Sequence, residues 1–280
     1  MSINLIGMEE EKKSAFNALN NKLPVLLYGF TGNGKTIMAW EIAKQYSKEH
    51  NDIPIVYLQL YPEMTKNSLI GGDTLKDGSI VTKNQPIVNF GTKGAVFIID
   101  ECTHTTEPVL LAFNSLIEPP FSTVVGEDIV TMHGDTRFIF CGNLPDHAGN
   151  IALPTSFADR LFIVKTQLLE QNQIVEIGKA VNNTVPEELL KFVAKVITDV
   201  HDPSFPVSPR NMVTFCKNYP TVKGSNYDKD NKLPNSLKKC CENENINSKA
   251  LKQSIMSSLM GHVVFKTDGP KKVEALLWSS

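Results

Sequence analysis

A glycine-rich octapeptide of fixed spacing, Gly29-Phe30-Thr31-Gly32-Asn33-Gly34-Lys35-Thr36, restricts the fold of this chain more than any other stretch. It fits the pattern G-x-x-x-x-G-K-[ST]. An apolar run, residues 24–28 (PVLLY), precedes it and reads as a buried strand; residues 37–50 follow with apolar side chains at helical spacing. Strand, glycine turn and helix start are the context this pattern needs. The glycines let backbone N–H groups curl around phosphate oxygens, and the helix dipole adds positive potential there. Lys35 is expected to reach the β- and γ-phosphates and the Thr36 hydroxyl to ligate Mg²⁺, with Thr31, Gly32, Asn33, Gly34 and Ile37 completing the cradle. The stretch reads as a nucleotide-binding P-loop.

A length of 280 residues suits one large domain plus a smaller one. A hydrophobic share of 41% and a charged share of 21% are those of a soluble globular protein. A formal charge of −2 weighs against a strongly electrostatic nucleic-acid binder. No apolar run is long enough to span a bilayer and no signal-peptide core is legible, so no membrane association is expected. The five cysteines (Cys102, Cys141, Cys216, Cys240, Cys241) are odd in number and lack C-x-x-C spacing. Reduced thiols in a cytoplasmic protein are the simplest reading.

In chain order, a helical pattern through Ala15, Phe16 and Leu19 precedes the P-loop, and residues 53–60 (IPIVYLQL) read as a second strand. Residues 62–90 read as irregular, with turns at Gly71-Gly72-Asp73 and Asp77-Gly78. Residues 95–99 form an apolar strand ending in Asp100-Glu101, as a parallel sheet covered on both faces requires. A single helix is expected over 107–118 and a β-hairpin over 121–125 and 129–133 across Gly126-Glu127-Asp128. Residues 137–141 and 161–164 supply two more strands. The alternation gives an α/β doubly wound domain, residues 1–168, binding ligands at its strand C-termini. Beyond it, helices are expected over 170–181, from Pro186 onward, and from an N-cap at Ser208, with a last stripe at Leu251, Ile255 and Leu259. Residues 221–245 read as an exposed polar loop inside this small helical domain, residues 169–280.

Asp100 closes the strand expected to neighbour that of the P-loop, where a carboxylate can hold Mg²⁺; Glu101 would then stand near the γ-phosphate as general base. His104, His133 and His147 lack metal-ligand spacing and read as surface or loop residues.

Four further stretches carry a family resemblance: GEDIVTMHGDTRFIFCGN (126–143), LPTSFADRLF (153–162), Ser208-Pro209-Arg210-Asn211, and Asn4 to Glu9. With the P-loop and Asp100-Glu101, they make the chain resemble the AAA+ ATPases, and among them the MoxR branch, especially its CbbQ/NorQ/GvpN-like group of dynein-related type. The resemblance implies a P-loop NTPase αβα core with a parallel five-stranded sheet and a C-terminal helical lid. It implies ATP and Mg²⁺ as cofactors, with Thr36 and Asp100 on the metal. It assigns Asn143 as first sensor, Arg160 as arginine finger, Arg210 as second sensor, and Ile6 and Gly7 as the segment against adenine. Residues 73–90 match an insert of this branch. Residues 144–152 depart from it, lacking the usual Asn-Pro after the first sensor.

Each assignment also has an ordinary alternative. Asn143 can orient a water or simply form a turn after Gly142. Arg160 can stabilise charge in a neighbouring subunit or pair with Asp159. Arg210 can couple nucleotide to lid angle or lie solvated in a first helical turn. Arg137 suits either an intersubunit sensor or a plain strand start.

The resemblance implies an ATP-hydrolysing homo-oligomer, a hexameric ring that remodels, activates or helps assemble a client, often with a partner carrying a von Willebrand A-type domain. Residues 73–90 and 121–136 would be its working surfaces. Two readings compete. A nucleic-acid-associated motor of restriction or transposition type would bind DNA with steep salt dependence. A nucleotide-switch scaffold in a phage or defence assembly would bind ATP and turn it over slowly.

Overall fold

In the computed structural model, which describes residues 6–144, 150–200, 207–219, 235–244 and 246–260, the apolar runs of the N-terminal half pair as one parallel sheet. The chain runs α1 (Glu9–Asn20), β1 (Val25–Gly29), α2 (Lys35–Glu49), β2 (Ile55–Gln59), α3 (Lys66–Leu69), β3 (Gly71–Lys76), β4 (Ser79–Asn84), α4 (Pro86–Gly91) and β5 (Val96–Asp100). It continues through α5 (Glu107–Leu111), α6 (Asn114–Ile117), β6 (Ser122–Val125), β7 (Asp128–Thr131), β8 (Arg137–Asn143), α7 (Thr155–Ala158) and β9 (Phe162–Lys165). Five helices follow: α8 (Gln171–Val181), α9 (Glu187–Val200), α10 (Pro209–Asn218), α11 (Asn235–Glu244) and α12 (Ser248–Met260).

The main sheet has five parallel strands in the order β2-β5-β8-β1-β9. Every residue of β5 and β8 is buried, which is why both read as continuous apolar runs. On one face Leu26, Phe97, Ile99, Phe138 and Phe140 meet Val109, Leu110, Phe113, Leu116 and Phe157. Phe113 and Phe157 each stand edge-on to Phe140, with centroids 5.1 and 5.2 Å away, a favoured aromatic geometry. Against the other face packs α2, burying Met38, Ala39, Ile42 and Ala43.

Four expectations are corrected. The strand ending in Asp100 does not neighbour β1, because β8 lies between them. Residues 62–90 are ordered rather than irregular: α3, the antiparallel hairpin β3–β4 and α4 occupy them, and Gly71-Gly72-Asp73 lies in a strand. Asp77 (φ +51°) and Gly78 (φ +78°) do form the turn, both left-handed as a twisted two-residue hairpin requires. All of β4 is exposed, so no inward-facing apolar alternation marked it. The 107–118 helix is two short helices, broken where Phe113 enters the aromatic cluster. Within 221–245, residues 235–244 form α11 on a thin buried stripe of Leu237, Cys240 and Cys241; residues 220–234 and 245 lie outside the described residues.

The hairpin β6–β7 forms as expected, turning at Gly126 (φ +61°). It abuts β3–β4: a Cβ on Gly126 would lie 2.7 Å from Thr82 Oγ1. Leu75, Ile80 and Ile129 on these hairpins are each at least 75% exposed.

The chain divides into two compact units. Residues 8–30 and 34–167 form the sheet unit; among the described residues, 6–7, 31–33 and those from 168 onward form the helical one. In the helical unit α8, α9, α10 and α12 bury Ile174, Leu190, Val193, Met212, Phe215 and Ile255. Ser208 starts α10 as anticipated, its N–H donating to Asn211 Oδ1 at 2.8 Å. Among the described residues, no helix is long and apolar enough to cross a membrane.

Candidate active site

The candidate residues Asp100, Glu101 and Asn143 lie with the start of the P-loop at the C-terminal ends of β5, β8 and β1. Gly29 pairs with Asn143, and Asp100 is the last residue of β5. Ligands in open parallel sheets bind at this edge.

Gly32 and Gly34 both have φ +81°, a left-handed conformation that glycine adopts without steric cost. Lys35 opens α2, and its Nζ donates to the Gly29 and Phe30 carbonyls at 3.0 and 2.7 Å. Burial lowers the Lys35 pKa, opposed by nearby acidic groups including Glu101 and Asp100.

Asp100 is 9% exposed, and both its oxygens are engaged. Oδ2 accepts the Thr36 hydroxyl at 3.0 Å and the Tyr57 hydroxyl at 2.9 Å, while Oδ1 accepts the Glu101 N–H at 2.9 Å. Glu101 has φ +55°, unusual for a side chain of its size and a form of strain that concentrates at functional sites. Asn143 Nδ2 donates to Glu101 Oε2 at 2.9 Å. Asn143 is held in turn by Thr103, whose Oγ1 accepts its backbone N–H at 3.0 Å and donates to Asn150 Oδ1 at 3.2 Å.

These oxygens fit a Mg²⁺ ion beside nucleotide phosphates. Thr36 Oγ1 and Asp100 Oδ2 offer adjacent hard oxygens, and Mg²⁺ sites commonly take one or two protein oxygens and complete the shell with phosphate and water. Among the described residues, no cluster of three or more His, Cys, Asp or Glu could hold a metal ion alone.

The other anticipated residues have these surroundings. Arg160 follows α7; its Nε pairs with Glu118 Oε2 at 2.7 Å and its Nη1 contacts the Ser156 carbonyl, so the ion pair is with Glu118 rather than Asp159. Arg210 is exposed in the first turn of α10. Within the helical unit, a Cβ on Gly32 would fall 2.3 Å from Ser208 Oγ and 3.9 Å from Arg210 Cβ. In the same unit Gly7 packs so closely on Gln173 and Leu169 that a Cβ would meet Gln173 Nε2 at 2.4 Å; Ile6 is half-buried and Ile37 exposed. Asn4, Leu5 and His147 lie outside the described residues.

Arg137 is an internal clamp, not a surface group. It is 6% exposed, donates to the carbonyls of Leu19 (3.0 Å), Gly134 (2.8 Å) and Thr136 (2.7 Å), and lies 5.2 Å above the Tyr46 ring. His104 and His133 are exposed. All five cysteines are free and buried, and burial pushes Cys102 and Cys141, beside the site, up in pKa. Tyr57 and Thr103 escaped the sequence reading. Burial and the bond to Asp100 push the Tyr57 phenol up to about 12; an ordinary phenol is already protonated, and so a donor, at neutral pH.

Comparisons with known proteins bear on the fold that carries these residues. Residues 24–161 match the AAA domain of the dynein-related subfamily. The chain is 25% identical over 206 residues to midasin of Giardia intestinalis, covering 69% of this chain but 4% of that much longer protein. Among solved structures, the Holliday junction branch migration motor RuvB of Thermotoga maritima is 17% identical with a TM-score of 0.52, covering 89% of this chain and 69% of that one. A single-residue variant of RuvB reaches a TM-score of 0.56 at the same identity and coverage. A candidate ATPase from Cytophaga hutchinsonii is 13% identical with a TM-score of 0.50, covering 98% of this chain and 90% of that one. The chain has the α/β fold of AAA+ P-loop NTPases, and residues 24–161 match the dynein-related AAA domain.

Proposed function

We propose that this chain hydrolyses ATP with Mg²⁺ as a MoxR-like member of the AAA+ proteins, residues 1–168 binding nucleotide and residues 169–280 acting as a lid. The observation that carries the reading is the Glu101–Asn143 hydrogen bond of 2.9 Å beside the Thr36–Asp100 contact of 3.0 Å. Glu101 accepts a proton from the attacking water, and Asn143 fixes the carboxylate that does so. Lys35, now satisfied by loop carbonyls, exchanges them for phosphate oxygens. Thr31 to Ile37 cradle the phosphates, Ile6 and Gly7 flank the base, and Thr36 and Asp100 hold the metal. Bound Mg²⁺ supplies neutralisation of the charge developing on the transferred phosphoryl group.

Arg160 completes the site of a neighbouring copy in a hexameric ring, and Arg210 reports nucleotide state to the lid. The exposed apolar residues Leu75, Ile80 and Ile129 support the two hairpins as the surface that works on a client protein. A von Willebrand A-domain partner follows from the family resemblance alone, and a cytoplasmic setting from the cysteine pattern.

Mixing Arg160→Ala and Glu101→Gln proteins tests this reading. Each alone should be inactive, whereas a mixture restores turnover at interfaces that pair the intact Glu101 of one copy with the intact Arg160 of the other. A mixture as silent as its parents removes the trans assignment. Affinity capture of Glu101→Gln with ATP from the native cell would then identify the client.

A further inference from the structure

Asp100 takes two hydroxyl donors on one oxygen, and only one of them, Thr36, comes from the P-loop. The other, Tyr57, comes from β2, the edge strand beside β5. Tyr57 pairs in register with Ile98, two residues before Asp100, so both rise from one face of the sheet. Its ring runs toward the strand end and places the hydroxyl 2.9 Å from Asp100 Oδ2. Trp40 of α2 stacks on that ring, with centroids 6.1 Å apart and planes inclined by 16°. Gln59, directly opposite Asp100 in the ladder, is exposed.

We infer that Tyr57 is a positioning residue for the metal site: its hydroxyl fixes the Asp100 carboxylate so that Oδ2 faces Thr36 Oγ1, and Trp40 fixes the Tyr57 ring. Without the phenol, the carboxylate keeps the Glu101 N–H on Oδ1 and the Thr36 hydroxyl on Oδ2, and it gains freedom to swing about them. A metal ligand whose orientation is loosened loses affinity for the ion, while contacts made to phosphate by the P-loop backbone are untouched. This inference rests on the proposed ATP and Mg²⁺ site and adds to it a residue outside the P-loop.

The test is Mg²⁺-dependent binding of mant-AMP-PNP, a fluorescent non-hydrolysable ATP analogue, to full-length wild type and Tyr57→Phe, alongside thermal melting. Tyr57→Phe keeps the ring on Trp40 and removes only the hydroxyl. The Mg²⁺ concentration for half-maximal binding should rise roughly tenfold, with affinity in EDTA and melting temperature unchanged. Equal Mg²⁺ dependence in the two proteins overturns the role of Tyr57 while leaving the site assignment standing. Equal loss of binding with and without Mg²⁺ also overturns it, by showing that the hydroxyl supports the fold. Absence of any Mg²⁺ effect in wild type would instead overturn the proposed metal site itself.

Discussion

Asn143, at the end of β8, donates its side-chain amide to Glu101, one residue past the end of the adjacent β5, at 2.9 Å. The contact joins the ends of two strands bonded to each other in the sheet, just beyond their last ladder pair, Ile99 with Phe140. Glu101 reaches it from a left-handed backbone, φ +55°, which costs of order 1–3 kcal/mol and persists only where its surroundings hold it. Asn143, Thr103 and the Asp100 carboxylate are those surroundings.

Thr103→Val tests whether the hold extends beyond Asn143. The change keeps the shape and removes the acceptor of the buried Asn143 N–H. An unsatisfied buried donor costs about 1–3 kcal/mol, so stability in urea should fall by that amount. If Thr103 also positions the amide, kcat falls with KM for ATP held constant; unchanged kcat confines Thr103 to the fold.

Arg137 and Arg160 should respond in opposite ways. Arg137→Leu removes the donor to the carbonyls of Leu19, Gly134 and Thr136, and leaving a buried acceptor such as the Leu19 carbonyl unpaired costs about 1–3 kcal/mol. Arg160 pairs with Glu118 at side-chain exposures of 30% and 39%, and such pairs contribute about 0–1 kcal/mol, so Arg160→Ala should unfold near the wild-type midpoint. Equal denaturant midpoints for the two variants would contradict these placements.

Gly32→Ala probes the cradle. Its φ of +81° disfavours any side chain, and the new Cβ would press on Ser208 Oγ at 2.3 Å. Fluorescent ATP titration should show affinity down by roughly tenfold or more, about 1.4 kcal/mol per decade. Wild-type affinity in this variant would mean that residues 31–33 do not set the phosphate geometry.

Alkaline pH should destabilise the protein through its thiols. Burial pushes Cys216 and Cys240 up to about 12 and Cys241 up to about 11. Their folded values thus exceed the unfolded ones, and the folded state holds more protons. The contribution is intact below the unfolded thiol value of about 8.5 and is lost as pH climbs through the folded values. The urea midpoint should fall from roughly pH 8.5 upward, and less steeply in a Cys216→Ala, Cys240→Ala, Cys241→Ala triple variant. Parallel slopes for the two proteins would remove the thiols as the cause.

Much of this site was legible because its parts sit on buried strands and a spaced glycine turn. The runs ending at Gly29, Asp100 and Asn143 are apolar through to the candidate site, and the candidate residues are where those runs stop. Strand order was not legible: nothing in residues 137–141 says that β8 inserts between β1 and β5. The hairpin β3–β4 stayed hidden because β4 faces solvent throughout, and α11 because its buried stripe among the described residues, Leu237, Cys240 and Cys241, is too thin to mark a helix. Tyr57 looked like one more aromatic of a strand, since its partner lies 43 residues away. The ordinary alternative for Arg160, a pair with the adjacent Asp159, names the wrong carboxylate, because folding brings Glu118 to it.

The most direct measurement is phosphate release by wild type and Glu101→Gln at saturating ATP and Mg²⁺, with nucleotide affinity measured on the same preparations. Glu101 as general base predicts wild-type turnover, a loss of about 10²-fold or more in Glu101→Gln, and affinity for ATP retained. Equal turnover in both proteins, or none in wild type that binds ATP, would contradict the assignment of the Glu101–Asn143 pair as the hydrolytic centre.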